Sequence, residues 1–436
     1  MPPEPFPKRH VIAQRQTEAL QTLLRSVLPA NPFYNAKFEA ARSPSRVSIL
    51  GHFYERFPFT TKAELSADQL ANPPYGTNLT FPLERYSRCH QTSGTSGAPL
   101  RWLDTPESWD WMLANWQTIY RAAGVTDRDV VFFAFSFGPF IGFWLAFEAA
   151  LKLGCRCLPG GGMTTQARVR AILDHQATVL CCTPTYALHL AETALAEGLD
   201  LATSRVKTLI VAGEPGGCIP ATRARLETLW PGARVQDHHG MTEVGPVTYE
   251  CPVRPRVLHV MEHAYIAEII HPITGEHVPS GETGELVLTT LGRIGSPLIR
   301  YRTGDQVRAA LDTQCECGHH ELALEGGILA RTDDMVCVRG VNVYPGAVEE
   351  ILRAHGGVAE YQVRVSRRDS LVEITLHAEP DATVPDPAAF AIGLEQALQT
   401  ALNLRIPVTL AAPGTLPRHE MKARRWSQLP NPSATP

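Results

Sequence analysis

The stretch from 91 to 99 reads Gln-Thr-Ser-Gly-Thr-Ser-Gly-Ala-Pro. Its glycines Gly94 and Gly97 let the backbone turn its N–H groups inward as a concave nest, and the hydroxyls of Thr92, Ser93, Thr95 and Ser96 add donors. Such a nest suits a polyphosphate. The competing reading is a flexible surface turn, because Ser, Thr and Gly punctuate loops generally. The pattern is not a Walker loop, since Gly97 is followed by Ala98-Pro99-Leu100 and the nearest cation is Arg101. It also lacks the Gly-x-Gly-x-x-Gly spacing of dinucleotide folds.

Further segments hold residue types that complement a bound nucleotide. Asp237-His-His-Gly-Met-Thr-Glu243 follows a run expected to be a strand. Ligands of open α/β sheets bind beyond the carboxyl ends of strands. Thr242 could there bond a phosphate, and Glu243 could hold Mg²⁺, a hard cation that takes oxygen ligands beside phosphates. Gly213-Glu-Pro215 is again at a strand end, where a tight turn can lie against a flat base. Tyr301-Arg-Thr-Gly-Asp305 reads as a turn whose carboxylate can accept two hydrogen bonds from a ribose diol. Gly340-Val-Asn-Val-Tyr-Pro345 follows Arg331-Thr-Asp-Asp334. Near the C-terminus, Arg418, His419, Lys422, Arg424 and Arg425 crowd together, a pattern that more often marks a solvated face than a site.

Cys251, His259, Cys315 and Cys317 offer a Cys₃His set of the kind that closes a structural zinc site, although Cys-x-Cys is tighter than the usual spacing. His263, His319 and His320 are rival ligands, and reduced surface cysteines are the plain alternative. Four protein ligands leave no open position, so the expected role is structural rather than catalytic. Cys155, Cys157, Cys181 and Cys182 lie in apolar runs and read as core. Without a signal-peptide pattern at the N-terminus, a disulfide framework is not expected.

The elements that must position these groups follow from periodicity. Between 130 and 240, apolar runs at 130–137, 156–159, 178–183, 206–212 and 234–237 alternate with helical patterns at 143–153, 166–175, 186–197 and 221–229. That alternation predicts right-handed crossovers and a parallel sheet. Residues 264–310 turn β-rich with Gly and Pro turns, which predicts an antiparallel or barrel-like subdomain. A boundary is expected near 331–334. After it come a helix opening at Pro345, strands at 362–366 and 372–377, and a leucine stripe at 394, 398 and 402, together a small α+β module. Leu20, Leu23, Leu24 and Leu28 predict an N-terminal helix.

Composition narrows the function classes. The net charge is −4 and charged residues are 19%, so no general basic field for nucleic acid exists. Val130 to Phe147 carries no charge and touches the lower limit for a membrane span. Gly138-Pro139 and Gly142 interrupt it, and strand–turn–helix is the better reading. No membrane partner and a cytoplasmic location are expected.

In this order and spacing, the segments resemble the adenylate-forming superfamily of acyl-CoA synthetases, non-ribosomal adenylation domains and luciferases. The loop at 92–99, Arg331-Thr-Asp-Asp-Met335 and Arg339-Gly-Val-Asn-Val-Tyr-Pro345 look most like the phenylacetate–CoA ligase branch. The resemblance implies an α/β fold: an N-terminal ATP- and acyl-binding domain over 1–332, with its β-rich subdomain at about 250–330, and a mobile C-terminal domain over 333–436. It implies that Thr92, Ser93, Gly94, Thr95, Ser96 and Gly97 bind the ATP phosphates. Gly213, Glu214 and Pro215 would flank adenine, with His239, Gly240 and Met241 beside them. Thr242 would touch the α-phosphate, Glu243 the magnesium, Asp305 the ribose hydroxyls, and Arg331 phosphate or ribose. Lys422 matches the adenylation lysine, Asp333 the hinge and Gly340 the channel for coenzyme A. Phe135, Phe140 and Gly245 would line the acyl pocket, whose aromatic residues favour a flat aromatic acid. Zinc is held by similar cysteines and a histidine in part of that branch. Two positions depart from the pattern: His239 stands where tyrosine is usual, and Met421 where glycine is usual before the lysine.

The expected reaction is therefore ATP-dependent activation of an aromatic carboxylic acid and its transfer to coenzyme A. Loading of a carrier protein or an amine, adenylyl transfer to a deazaflavin, and a nucleotide-binding protein without catalysis are the alternatives. A homodimer is left open.

Overall fold

The computed structural model describes residues 6–92, 99–139, 141–331, 336–338, 341–368, 371–418 and 425–428. A parallel sheet runs through its centre in the order Arg156–Pro159, Val130–Phe133, Val179–Cys182, Thr208–Val211, Arg234–Asp237. Val179–Cys182 and Thr208–Val211 are buried along their whole length, as strands covered on both faces must be. The crossover helices are Trp144–Leu153, Thr165–Asp174, Pro184–Ala196 and Pro220–Leu229, in the predicted alternation. Their starts are chemically marked. The hydroxyls of Thr164 and Thr183 accept from the backbone N–H groups of Ala167 and Tyr186, both at 3.2 Å. Proline opens the last two helices, where its missing N–H costs nothing.

The aromatic run predicts a strand over 130–137, but the strand ends at Phe133. Phe137 has φ 52°, so the chain has already left extended geometry before Gly138. With the Trp144 helix this completes strand–turn–helix, and no helix among the described residues is long and apolar enough to cross a membrane. The helix Pro106–Ala122 has no counterpart in the expectations. Thr105 caps it by accepting from Ser108 N at 3.2 Å, and Trp109, Met112, Trp116, Ile119 and Tyr120 give it a buried stripe.

The β-rich region consists of antiparallel sheets. One orders Thr248–Glu250, Val257–Val260 and Ala323–Glu325; the other orders Tyr265–Ile270, Thr283–Thr290, Tyr301–Arg308 and Ala330–Arg331. The Tyr301 segment, expected to be a turn, is a strand with a bulge. Its pairing shifts between Glu285 and Val287, and Gly304 at φ 76° absorbs the extra backbone. The N-terminal helix Arg9–Val27 buries Leu20, Leu23 and Leu24.

The C-terminal elements form their own core. A sheet ordered Val408–Leu410, Leu371–Pro380, Val358–Arg368, Trp426–Gln428 receives the helices Pro345–His355 and Pro387–Leu402. Val348, Leu352, Leu376, Leu394 and Leu398 fill the space between them.

Candidate active site

The Arg234–Asp237 strand runs directly into the 238–243 segment at the carboxyl end of the parallel sheet. There the chain folds back on itself, Gly240 pairing with Pro246 and Met241 with Gly245. A Cβ on Gly240 would stand 2.8 Å from the Gly245 carbonyl oxygen, so glycine is required for this approach. Thr242 and Glu243 are both buried. Glu243 accepts from the Tyr301 hydroxyl at 2.9 Å and forms no ion pair among the described residues. Burial, with the Glu243 carboxylate beside it, pushes the Tyr301 phenol far up, so Tyr301 stays a donor.

Asp305 sits on the bulged strand, almost fully buried. Its Oδ1 accepts from Arg331 Nη1 at 2.8 Å, the two residues being paired across neighbouring strands. Its Oδ2 lies 3.1 Å from His239 Nε2, close but not aligned as a hydrogen bond. Positions 239, 305 and 331, nominated separately from sequence, therefore meet at one point. Gly213 and Pro215 are exposed and Glu214 is half-buried, an open face on the same end of the sheet. Gly213 has φ 93°, and Glu214 Oε1 accepts from Thr185 N at 2.9 Å, which fixes the turn. Thr92 and Leu100, on either side of the glycine-rich segment, exchange bonds: Thr92 N donates to the Leu100 carbonyl at 2.9 Å, and Leu100 N to Thr92 Oγ1 at 3.0 Å. Ser93, Gly94, Thr95, Ser96, Gly97, Phe140, Asp333, Gly340 and Lys422 lie outside the described residues.

Two residues that sequence reasoning missed hold the motif in place. Arg293 is fully buried; it donates through Nε and Nη2 to the two Asp104 oxygens at 2.7 and 2.6 Å. Through Nη1 it donates to the Thr242 carbonyl at 2.8 Å. This bidentate pair ties the Arg101–Asp104 strand, which follows the glycine-rich loop, to the 237–243 motif. No local pattern marks either residue. Arg425 is a correction of another kind. Such a cluster more often marks a solvated face, yet Arg425 is buried, with Nε donating to Glu360 Oε1 at 2.6 Å and Nη1 lying 3.4 Å from Glu349 Oε2. Its Nη1 also donates to Thr185 Oγ1 at 3.3 Å, so the C-terminal elements touch the helix start whose backbone N–H holds Glu214.

Around the expected acyl pocket the packing is aromatic. Phe135 is buried against Phe137 and Phe143, with ring centroids 5.6 and 5.4 Å away. Gly245 has φ 95°, and a Cβ there would meet Met112 Sδ at 2.9 Å and the Tyr265 hydroxyl at 3.3 Å.

Cys251, His259, Cys315 and Cys317 converge, with their ligand atoms all within 4.8 Å of one another. Cys251 Sγ lies 3.7 Å from Cys315 Sγ, and Cys317 Sγ lies 3.4 Å from His259 Nε2. A tetrahedron with zinc–sulfur bonds near 2.3 Å has sulfur–sulfur edges of about 3.8 Å, so the donor set fits zinc. Arg254 N donates to Cys251 Sγ at 3.3 Å, which suits a thiolate. The rival histidines are engaged elsewhere. His319 Nδ1 is 3.1 Å from the Tyr249 hydroxyl, His263 faces Glu321, and His320 Nδ1 is 3.2 Å from the Thr313 carbonyl.

The family described as AMP-binding enzyme matches residues 91–292, and the AMP-binding enzyme C-terminal domain matches 340–428. The chain is 32% identical over 425 residues to the phenylacetate-coenzyme A ligase of Pseudomonas putida, covering 94% of this chain and 93% of that one. It is similar to 2-hydroxyisobutyryl-CoA ligase in its postadenylation state in complex with R3-HIB-AMP. There the TM-score is 0.92 at 27% identity, covering 98% of this chain and 94% of that one. Against the same ligase with 2-HIB-AMP and CoA in the thioesterification state the TM-score is 0.74 at 28% identity, covering 97% and 91%.

Proposed function

The chain belongs to the AMP-binding enzymes, in the branch of the phenylacetate–coenzyme A ligases, and from this we infer that it activates a carboxylic acid with ATP. The acid becomes an acyl-adenylate, and its acyl group passes to coenzyme A with release of AMP and pyrophosphate. The chain is thus an AMP-forming acid–thiol ligase. One observation carries the reading at residue level: His239, Asp305 and Arg331 meet, and Thr242 and Glu243 lie on the same strand-end motif as His239.

In this reading the ribose hydroxyls bond Asp305, which Arg331 holds in place. His239 and the 213–215 turn lie against the base, and the 92–97 loop receives the phosphates. The acid's carboxylate oxygen attacks the α-phosphorus and pyrophosphate leaves. Thr242 donates to the α-phosphate, and Lys422 offsets the charge that grows on its oxygens. The thiol sulfur of coenzyme A then attacks the acyl carbon, gives up its proton, and AMP leaves. A buried carboxylate without an ion pair among the described residues fits Mg²⁺, so Glu243 would hold that ion, which spreads the phosphate charge when bound. Zinc at Cys251, His259, Cys315 and Cys317 has a structural role. The aromatic packing at Phe135 favours an aromatic acid, and the enzyme works in the cytoplasm.

Between the two steps the C-terminal elements rotate about Asp333 and bring Gly340 to the thiol's channel. The higher similarity to the postadenylation state supports the view that the arrangement described is the one preceding that rotation.

The test is product analysis with ATP, Mg²⁺, a panel of aromatic acids and coenzyme A. Equal amounts of AMP and acyl-CoA are expected. ADP as product, or AMP without thioester, would contradict the assignment.

A further inference from the structure

His238 has no task in the reaction so far, although it stands between the strand end and His239. Its ring meets Trp116 edge to face, with centroids 4.4 Å apart at 72°. Trp116 neighbours Phe143, and Phe143 neighbours Phe135. The imidazole therefore sits among the aromatic side chains that would receive the acyl group. It is buried, and neither ring nitrogen has a hydrogen-bond partner among the described residues. The His239 backbone lies near the ring and favours its protonated form, without meeting hydrogen-bond geometry at either nitrogen.

Burial, with His239 close by, pushes the His238 imidazole down to about 3. At neutral pH one nitrogen is then a donor and the other an acceptor. A buried polar group left unmet is costly, whereas an apolar residue of similar shape is not. An N–H aimed at the Trp116 face would satisfy one nitrogen weakly and leave the other unmet. Asn115 Nδ2, on the residue before Trp116, is a donor close to the Tyr265 hydroxyl but without hydrogen-bond geometry to it. That hydroxyl is 3.3 Å from the place a Cβ on Gly245 would occupy.

We propose that His238 is a specificity-determining residue that bonds a hydroxyl or keto oxygen on the acyl portion of the acid, so that substituted acids are activated in preference to their unsubstituted counterparts. The inference rests on the acid-activating reading of this site and narrows its substrate class. A site built to bond a hydroxyl rejects the analogue lacking it strongly, because its own polar group is then stranded.

The experiment compares matched acids in ATP–pyrophosphate exchange: benzoic with its hydroxybenzoic acids, phenylacetic with mandelic and 4-hydroxyphenylacetic, and isobutyric with 2-hydroxyisobutyric. The native protein should favour the substituted member of at least one pair by about tenfold or more in kcat/KM. In His238→Leu that ratio should fall to near one, with the unsubstituted acid still used. His238→Gln, which keeps a donor and an acceptor, should retain part of the ratio. Without acid, His238→Leu should melt at or above the native temperature. Ratios near one in every pair, or a ratio unchanged in His238→Leu, would overturn the inference and leave acid activation standing. Equal loss with both acids together with a lowered melting temperature would assign His238 to packing and also overturn it. Absence of exchange with any acid would overturn the acid-activating reading, and this inference with it.

Discussion

Arg293 shows how much of the site depends on one buried charge. Its guanidinium is fully buried, and Asp104 meets two of its donors while the Thr242 carbonyl meets a third. Asp104→Ala would strand that cation, which costs about 3–5 kcal/mol in such settings. A loss of that size in urea unfolding is the expected result; a change below about 1 kcal/mol would mean that water already reaches the pair. Asp237 gives a pH-dependent counterpart. Burial, and the Glu250 carboxylate beside it, push its carboxyl up to about 7 from the ordinary 3.8. The folded state therefore prefers the protonated acid. That preference contributes stability fully below about pH 4 and is lost as pH rises through about 7. Asp237→Asn should raise the melting temperature more at pH 8 than at pH 5, and an equal effect at both would contradict the assignment.

At the scale of elements, the parallel sheet was legible because its strands are apolar runs spaced by helical patterns, and tertiary packing agrees with that local signal. Thr183-Pro184 was an unread start signal, so the helix begins before the apolar pattern does. The Tyr301–Arg308 strand was misread because Gly304-Asp305 has turn composition, while here the glycine serves a bulge. Arg293 and Asp104 were not legible, since the signal lies in a contact between distant segments. The Cys₃His set was legible as residue types, and the fold decided among the rival histidines by engaging them elsewhere. A zinc clip joining the Thr248–Glu250 and Val257–Val260 strands to the 315–317 turn would add its binding energy to folding. Cys315→Ser should therefore lower metal content and melting temperature together, while pyrophosphate exchange persists well below melting. Metal-free native protein by elemental analysis would remove the site.

Over the whole molecule, the question is how one chain serves two reactions. Arg425, a few residues after Lys422, links the C-terminal elements to Thr185, whose backbone N–H holds Glu214. If the C-terminal part closes as proposed, this contact would tie that closure to the 213–215 turn. Lys422→Ala should slow adenylate formation by about 10²–10³-fold, the loss of one transition-state charge stabiliser, and largely spare thioester formation from supplied acyl-adenylate. Equal loss in both half-reactions would make Lys422 structural. The most direct measurement of the central claim is exchange of labelled pyrophosphate into ATP without coenzyme A. Acid-dependent, Mg²⁺-dependent exchange is the predicted result, because adenylation is reversible before the thiol enters. Absence of exchange with every acid tried, while ATP is still cleaved to ADP, would contradict an acyl-adenylate enzyme.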